Sequence, residues 1–486
     1  MRLTGRLRRW NNRSNPQSEA PVPVNEIIRF LKANQRWKAS TLPPGPKGAP
    51  VTGVMREFNR DSLGFIERAQ RDYGDIVWMR FLYVPALFLY HPNEIEYVLA
   101  TNPKNFIKSM SLRSNFFQRL VGNGLVTSQG EEWKRQRRLS SPAFHRERIA
   151  TYAQVMVDYT KRLISNWQVN EPRDIHRDMM RLTLEIVVRC LFSADVSSDV
   201  DEIGATLKQL VKPFASQATL KWILNNRLPT PYHFRFHALA RRIDQVVYRI
   251  IAERRASGRD EGDLLSMLLA ARDEDGSQMT DRQLRDEVMT LFLAGHETTA
   301  LTLAWAWYLL GKHPDTEKKF HAELDLVLGG REPTFADLPQ LKCTEQIAKE
   351  SMRLYPPAYG LGREAVEDCE IGGYQVPAGT QIFMFQWATQ RDPRFYDEPL
   401  AFKPERWTNE FVEQLPKYAY FPFGGGPRAC IGASFAMMEI ILTLATIGQR
   451  FRLELVRDHP VSILPAMSLR PRDGIRVMVK NRIRTM

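Results

Sequence analysis

No stretch of the 486 residues approaches the ~18 consecutive apolar residues that a spanning helix needs, so an integral membrane protein is disfavoured. Cysteine is scarce too. Four (Cys190, Cys343, Cys369, Cys430) in a chain this long cannot form a secreted disulfide framework, which favours a reducing compartment, and we expect the cytoplasm. Acids are nearly missing from residues 1–20, where Glu19 faces Arg2, Arg6, Arg8, Arg9 and Arg13. No apolar core follows those arginines, so a secretory signal is not expected. Leu3, Leu7 and Trp10 at helical spacing leave three readings open: an amphipathic turn on an anionic membrane, a transit peptide, or a frayed tail. Membrane contact is therefore peripheral at most. There is no C-x-x-C…H-x-x-x-H finger and no basic stretch interleaved with aromatics, so the net charge of +13 is not read as nucleic-acid binding.

What is present is a globular composition, 43% hydrophobic and 25% charged. Residues 1–40 read as a basic tail and linker, expected to be flexible, with Pro43-Pro44-Gly45-Pro46 stiffening the entry to one folded unit over 41–486. Residues 76–81 and 86–90 predict two strands around a turn at Pro85. A long helical stretch follows, in which Leu239, Ile243, Val246, Val247 and Ile250 trace one apolar face. Short strands return at 369–376, 382–385 and 475–479. The fold class is mainly α with a small β-rich part.

One helix stands apart. Thr280-Asp281-Arg282-Gln283 is a capping-box sequence, and nothing breaks the pattern until Gly311 and Pro314. About 30 residues at ~1.5 Å each give roughly 45 Å of helix, enough to cross a domain. Its middle reads Ala294-Gly295-His296-Glu297-Thr298-Thr299, polar where a buried rod should be apolar. Such a violation of the local rule marks a functional-site candidate.

The strongest signal is Phe423-Gly424-Gly425-Gly426-Pro427-Arg428-Ala429-Cys430-Ile431-Gly432. Three glycines allow backbone conformations closed to other residues and a close approach to a flat ligand. An apolar helix is expected over 433–448, so Cys430 sits at a helix N-terminus, where backbone N–H groups favour a thiolate. A soft anionic sulfur shielded by Phe423 suits iron, of the kind that pushes electron density onto a haem. Cys190, Cys343 and Cys369 lack such a context and read as ordinary buried thiols.

Phe423, Gly426, Arg428, Cys430 and Gly432 complete an F-x-x-G-x-R-x-C-x-G pattern that resembles the haem-binding signature of the cytochrome P450 superfamily. Three further segments agree in order and spacing: Glu350-Ser351-Met352-Arg353 with E-x-x-R, Pro404-Glu405-Arg406-Trp407 with P-E-R-[FW], and Ala294-Gly295-His296-Glu297-Thr298 with [AG]-G-x-[DE]-T. The resemblance covers roughly residues 41–486 and implies the P450 fold, with haem b (iron protoporphyrin IX) between the long central helix and the cysteine loop. It implies Cys430 as iron ligand, and Trp133, Arg137, Arg363 and Arg428 as propionate contacts, with Phe423 and Gly432 completing the cofactor site. Glu350, Arg353 and Arg406 are implied as a structural ion cluster, and Thr298 with Glu297 as the pair that delivers protons during O2 activation. Gln390 stands where many members have His.

The implied activity is a monooxygenase inserting one atom of O2 into a hydrophobic small molecule, as in bacterial soluble members of the family. Electrons come from a separate ferredoxin or flavodoxin with its reductase. Lys134, Arg135 and Arg138 form a candidate docking patch for such an acidic partner. Phe116, Phe117, Ala294, Leu361, Leu464 and Met467 are expected to line the substrate pocket, fitting a fatty acid first and a terpenoid or steroid second. Arg113 or Arg119 could hold a carboxylate. A peroxide-using peroxygenase or isomerase and a non-catalytic haem sensor are the alternatives, and both fit less well with the retained Glu297-Thr298 pair.

Overall fold

The computed structural model describes residues 24–193, 231–273 and 276–482, with Gly204, Thr206, Gln209 and Leu210. The arginine-rich stretch at 1–20 lies outside the described residues.

The helices that build the site, in chain order, are α1 (Val24–Arg36), α2 (Asn115–Val121), α3 (Gly130–Ser140), α4 (Arg146–Ser165), α5 (Ile175–Phe192), α6 (Pro231–Ser257), α7 (Asp281–Lys312), α8 (Lys342–Leu354) and α9 (Ala433–Gly448). A five-stranded sheet joins β1 (Ile76–Phe81), β2 (Val84–Leu89), β3 (Phe106–Lys108), β5 (Leu361–Ala365) and β8 (Gln381–Met384), in the order β1-β2-β8-β5-β3. Only β2 and β8 run parallel in it. A three-stranded sheet is formed by β4 (Pro172–Asp174), β12 (Arg476–Asn481) and β9 (Phe451–Leu455), in that order. Two hairpins complete the β part, β6 (Cys369–Ile371) with β7 (Tyr374–Val376), and β10 (Ile463–Pro465) with β11 (Leu469–Pro471).

Helix α7 is the axis of the main core. Thr280 and Gln283 form the reciprocal capping box, and the helix runs 32 residues without a break. From Leu301 to Trp307 every residue of it is buried, the mark of a helix enclosed on all sides. The long apolar helix α9, which follows the cysteine loop, lies in the same core.

The structure corrects three details. From Val24 on, the expected tail and linker is not bare chain: α1 places Phe30 and Ala33 inward, followed by Trp37, and all three are buried. That spacing of three and four residues is one helix face. The Pro43–Pro46 segment is docked, because the Pro44 carbonyl accepts the Trp78 N–H of β1 at 3.0 Å. The first hairpin turns at Leu82-Tyr83, with Leu82 at φ 56°, and Pro85 lies inside β2 opposite Arg80. Pairing with β8 starts one residue later, at Ala86, so no ladder donor is missed at Pro85.

Candidate active site

A cavity of about 1150 Å³ lies between the middle of α7 and the cysteine loop. On one side it is bounded by Phe423, Cys430 and Gly432, on the other by Ala294 and Thr298. The loop is shaped by its backbone. The Cys430 N–H donates to the Phe423 carbonyl at 2.9 Å, and the Ala429 N–H to that of Gly426 at 3.1 Å. Gly426 has φ 64°, and a Cβ there would lie 1.8 Å from the Leu99 carbonyl oxygen. No other residue fits. Cys430 follows, three residues ahead of α9, with its side chain open toward the cavity. Burial pushes this thiol up, while the Gly432 N–H and the Arg137 charge oppose that. At Cys343 and Cys369, burial raises the thiols to about 12 and about 11, and neither lines the cavity.

Around the cavity rim stand Lys108, Arg137, Arg363 and Arg428. Among the described residues none of the four has a carboxylate within ion-pair distance. Arg137 donates to the Ala429 carbonyl at 3.0 Å, Arg363 to that of Gly362 at 2.9 Å, and Arg428 to that of Ser128 at 3.0 Å while lying over the Trp133 ring. Burial pulls both Arg363 and Arg428 down to about 10, with the Arg428 charge adding to the effect at Arg363. Lys108 is lowered well below its ordinary range, first by burial and then by Arg363 and Arg428. Gathered cations without acids repel one another and require an anion. Sequence reasoning missed Lys108. Only the register of β3 on β5, which sets Lys108 opposite Arg363, brings it here.

Haem fits this arrangement. The glycine loop gives a flat body room, Cys430 offers iron a sulfur donor, and the four cations with Trp133 would hold its two carboxylates.

Behind the loop, Glu350 is fully buried and every acceptor position is used. Arg353 donates to it at 2.9 and 2.8 Å, Arg406 at 3.0 Å, the Lys403 N–H at 3.0 Å and Trp407 Nε1 at 2.9 Å. Arg353 also reaches the carbonyls of Gln390, Pro399 and Ala401, so α8 is tied to the chain leading to the cysteine. Gln390 continues this tie: its Nε2 donates to the carbonyls of Met352 and Arg353, and its Oε1 accepts the Phe421 N–H. An amide both donates and accepts, and so spans the gap between helix and loop.

On α7, Thr298 faces the cavity and donates to the Ala294 carbonyl at 2.7 Å. Glu297 does not line the cavity. It turns to the β10–β11 hairpin, accepting from Arg470 Nε at 2.7 Å and from the Ser468 hydroxyl. The helix explains the split, since neighbouring residues point ~100° apart.

Phe117, Leu361, Leu464 and Met467 line the cavity with Ala294. Phe116, expected beside them, does not: its ring packs on Phe236 of α6 with centroids 4.7 Å apart. On one turn of α2, adjacent residues cannot both face the same hollow. Arg113 and Arg119 are not available for a substrate carboxylate, being paired with Glu364 and Asp244. The expected basic patch is also partly neutralised. Arg135 and Arg138 share Asp273, and Lys134 pairs with Glu131.

Comparison with known proteins agrees with this geometry. The family model "Cytochrome P450" matches residues 43–479. Cyclooctatin synthase of Streptomyces melanosporofaciens is 37% identical over 440 residues, 90% of this chain and 95% of that protein. Cyclooctat-9-en-7-ol 5-monooxygenase of the same organism is 36% identical, over 89% of this chain and 93% of that protein. Among solved structures, the haem domain of cytochrome P450DA superposes with a TM-score of 0.82 at 29% identity, covering 90% of this chain and 98% of that one. No helix among the described residues is long and apolar enough to cross a membrane. A match that runs nearly end to end, over a fold and a cysteine loop that already ask for haem, leaves one conclusion: this chain belongs to the cytochrome P450 family.

Proposed function

We propose that this monooxygenase oxidises a terpenoid hydrocarbon or terpenoid alcohol, using haem b and electrons from a ferredoxin or flavodoxin in the cytoplasm. The observation that carries the substrate class is the apolar part of the cavity lining. Its side chains include Phe117, Val126, Leu291, Leu361, Leu464 and Met467, and the two nearest arginines on α2 and the loop before it already have acids. Neither of these two is free to take the carboxylate of a fatty acid, and burying that charge unpaired is expensive. A relative that acts on cyclooctat-9-en-7-ol supports the same class. This reverses the order reached from sequence, in which the fatty acid came first.

Haem, when bound, supplies the activation of O2. The chain supplies the rest. Thr298 is the cavity-side hydroxyl that passes a proton at its Oγ1, releasing the bond to the Ala294 carbonyl as it does so. Glu297, held by Arg470 and Ser468, is the acid behind it, connected to the surface through a partly exposed arginine. The apolar wall excludes water and holds the substrate by shape. Trp133, Arg137, Arg363 and Arg428 orient the cofactor by its carboxylates. The test is an optical titration with cyclic terpenes, terpene alcohols and fatty acids, followed by turnover under ¹⁸O2 with reductant and ferredoxin. One labelled oxygen in a terpenoid product is expected. Tight binding of fatty acids alone would overturn the substrate class. Turnover with peroxide but not with reductant would overturn the electron-dependent reading.

A further inference from the structure

A second set of buried charges lies away from the cofactor, where α2, α6 and α7 meet. Arg285, in the second turn of α7, is 6% exposed. Its Nε donates to Asp244 of α6 at 2.8 Å, its Nη1 to Asp286 at 2.9 Å, and its Nη2 to the Leu120 carbonyl at the end of α2 at 3.0 Å. Arg119 of α2 takes the other oxygen of Asp244 at 2.8 Å. The loop that follows α2 is held by the same turn of α7. The Asn123 N–H donates to Asp286 at 2.9 Å and the Leu125 N–H to Glu287 at 3.2 Å. Gly124 is pressed so close that a Cβ would lie 2.4 Å from the Asp286 carbonyl oxygen. Phe117, Leu125 and Val126, carried by this stretch, form part of the cavity wall.

The two anchorages differ in kind. The loop is fastened to α7 by two backbone N–H groups donating to the Asp286 and Glu287 carboxylates, with Gly124 pressed against the Asp286 carbonyl. Toward the wall, helix α6 presents one carboxylate shared between two arginines, beside the Phe116–Phe236 contact, while Ala240, Ile243 and Val247 of the same helix are buried in the main core. A seam of opposite charges is specific in direction but adds little net stability, because water replaces each partner when the seam parts. An apolar seam of the same area would expose hydrocarbon instead. We propose that Asp244, with Arg285 and Arg119, is a positioning latch that holds α6 on the Phe117–Val126 wall and sets how readily bulky ligands enter and leave the cavity. This does not depend on which substrate class is correct.

The test uses the haem-loaded full chain and two ligands of haem iron that differ in bulk, imidazole and 4-phenylimidazole, mixed by stopped flow. In Asp244→Asn the association and dissociation rates of 4-phenylimidazole should each rise about 10-fold, while those of imidazole change less than 2-fold. Asp244→Glu should restore slow exchange. Arg119→Gln, at the partly exposed end of the latch, provides a second route if Asp244→Asn folds poorly, and the double variant should be no faster than the faster single one. Rates within 2-fold of the parent in both single variants would overturn the latch. So would an equal rise for both ligands, which is the signature of general loosening around the cofactor.

Discussion

Two clusters of arginine lie within the same cofactor-bearing half of the molecule and have opposite completeness. Around Glu350 each carboxylate lone pair has a donor and each guanidinium an acceptor. Around the cavity rim Arg137, Arg363 and Arg428 have carbonyls or a ring, and neither they nor Lys108 has an acid among the described residues. A buried charge set that closes on itself belongs to the fold. One that remains open belongs to something the chain is built to hold. The comparison also ranks the effects of substitution, because removing a member of a closed set creates an unpaired charge, whereas removing a member of the open set relieves one.

The largest effect is expected in the closed cluster. Glu350→Ala leaves Arg353 and Arg406 buried without an anion and should cost about 3–5 kcal/mol, read as a fall in the urea midpoint of unfolding; an unchanged midpoint would refute the closed-cluster account. Next comes the open cluster. Arg363→Met or Lys108→Met should leave the apoprotein as stable as the parent or more so, yet weaken haem retention about 10- to 100-fold, from charge-assisted bonds of about 1.5–3 kcal/mol each. Transfer of haem to an excess of apomyoglobin measures this, and parallel losses of apoprotein stability would erase the distinction.

Two lone acids sharpen the comparison from the other side. Glu439 in α9 is fully buried with neither oxygen bonded among the described residues, and burial raises its carboxyl well above the usual range. Glu439→Met should stabilise the protein by about 1–3 kcal/mol at neutral pH, checked by thermal unfolding; destabilisation would mean that an unseen partner completes it. Glu287 is half satisfied, with Leu125 on one oxygen and no partner on the other, and burial lifts it to about 8. The folded state then holds a proton that the unfolded chain has released above its ordinary value near 4.5. Stability therefore declines as pH rises from there to about 8, by at most about 1.4 kcal/mol per pH unit. Glu287→Gln should flatten that slope, and an identical slope would place the titration elsewhere.

How far the sequence reveals these arrangements depends on how local they are. Helix α7 was legible because its cap and its first turn are neighbours in the chain, as were α9 and the cysteine loop. The roles expected of Glu350, Arg353 and Arg406 rested on spaced motifs that resemble a family. Lys108 carried no such signal: a lysine at the end of a three-residue strand is unremarkable until register sets it across from Arg363, 255 positions later. The same holds for Asp244 and Arg285, brought together by packing of two long helices. Phe116 and Phe117 could not be told apart by composition, since only the rotation of α2 decides which ring meets the cavity. Helix α1 escaped notice for a different reason: three apolar anchors among charged residues look like a solvated tail until a sheet is there to receive them.

The β10–β11 hairpin connects two properties that are usually altered separately. One surface of it brings Leu464 and Met467 to the cavity, and the other is fastened to α7 through Ser468 and Arg470 on Glu297 and through the Leu469 carbonyl on Trp305. Reshaping the hydrocarbon wall at those two positions thus strains the mooring of the acid beside Thr298. Variants engineered there for a new product should also waste more electrons as peroxide, selectivity and coupling efficiency moving together because a single β-turn bears both.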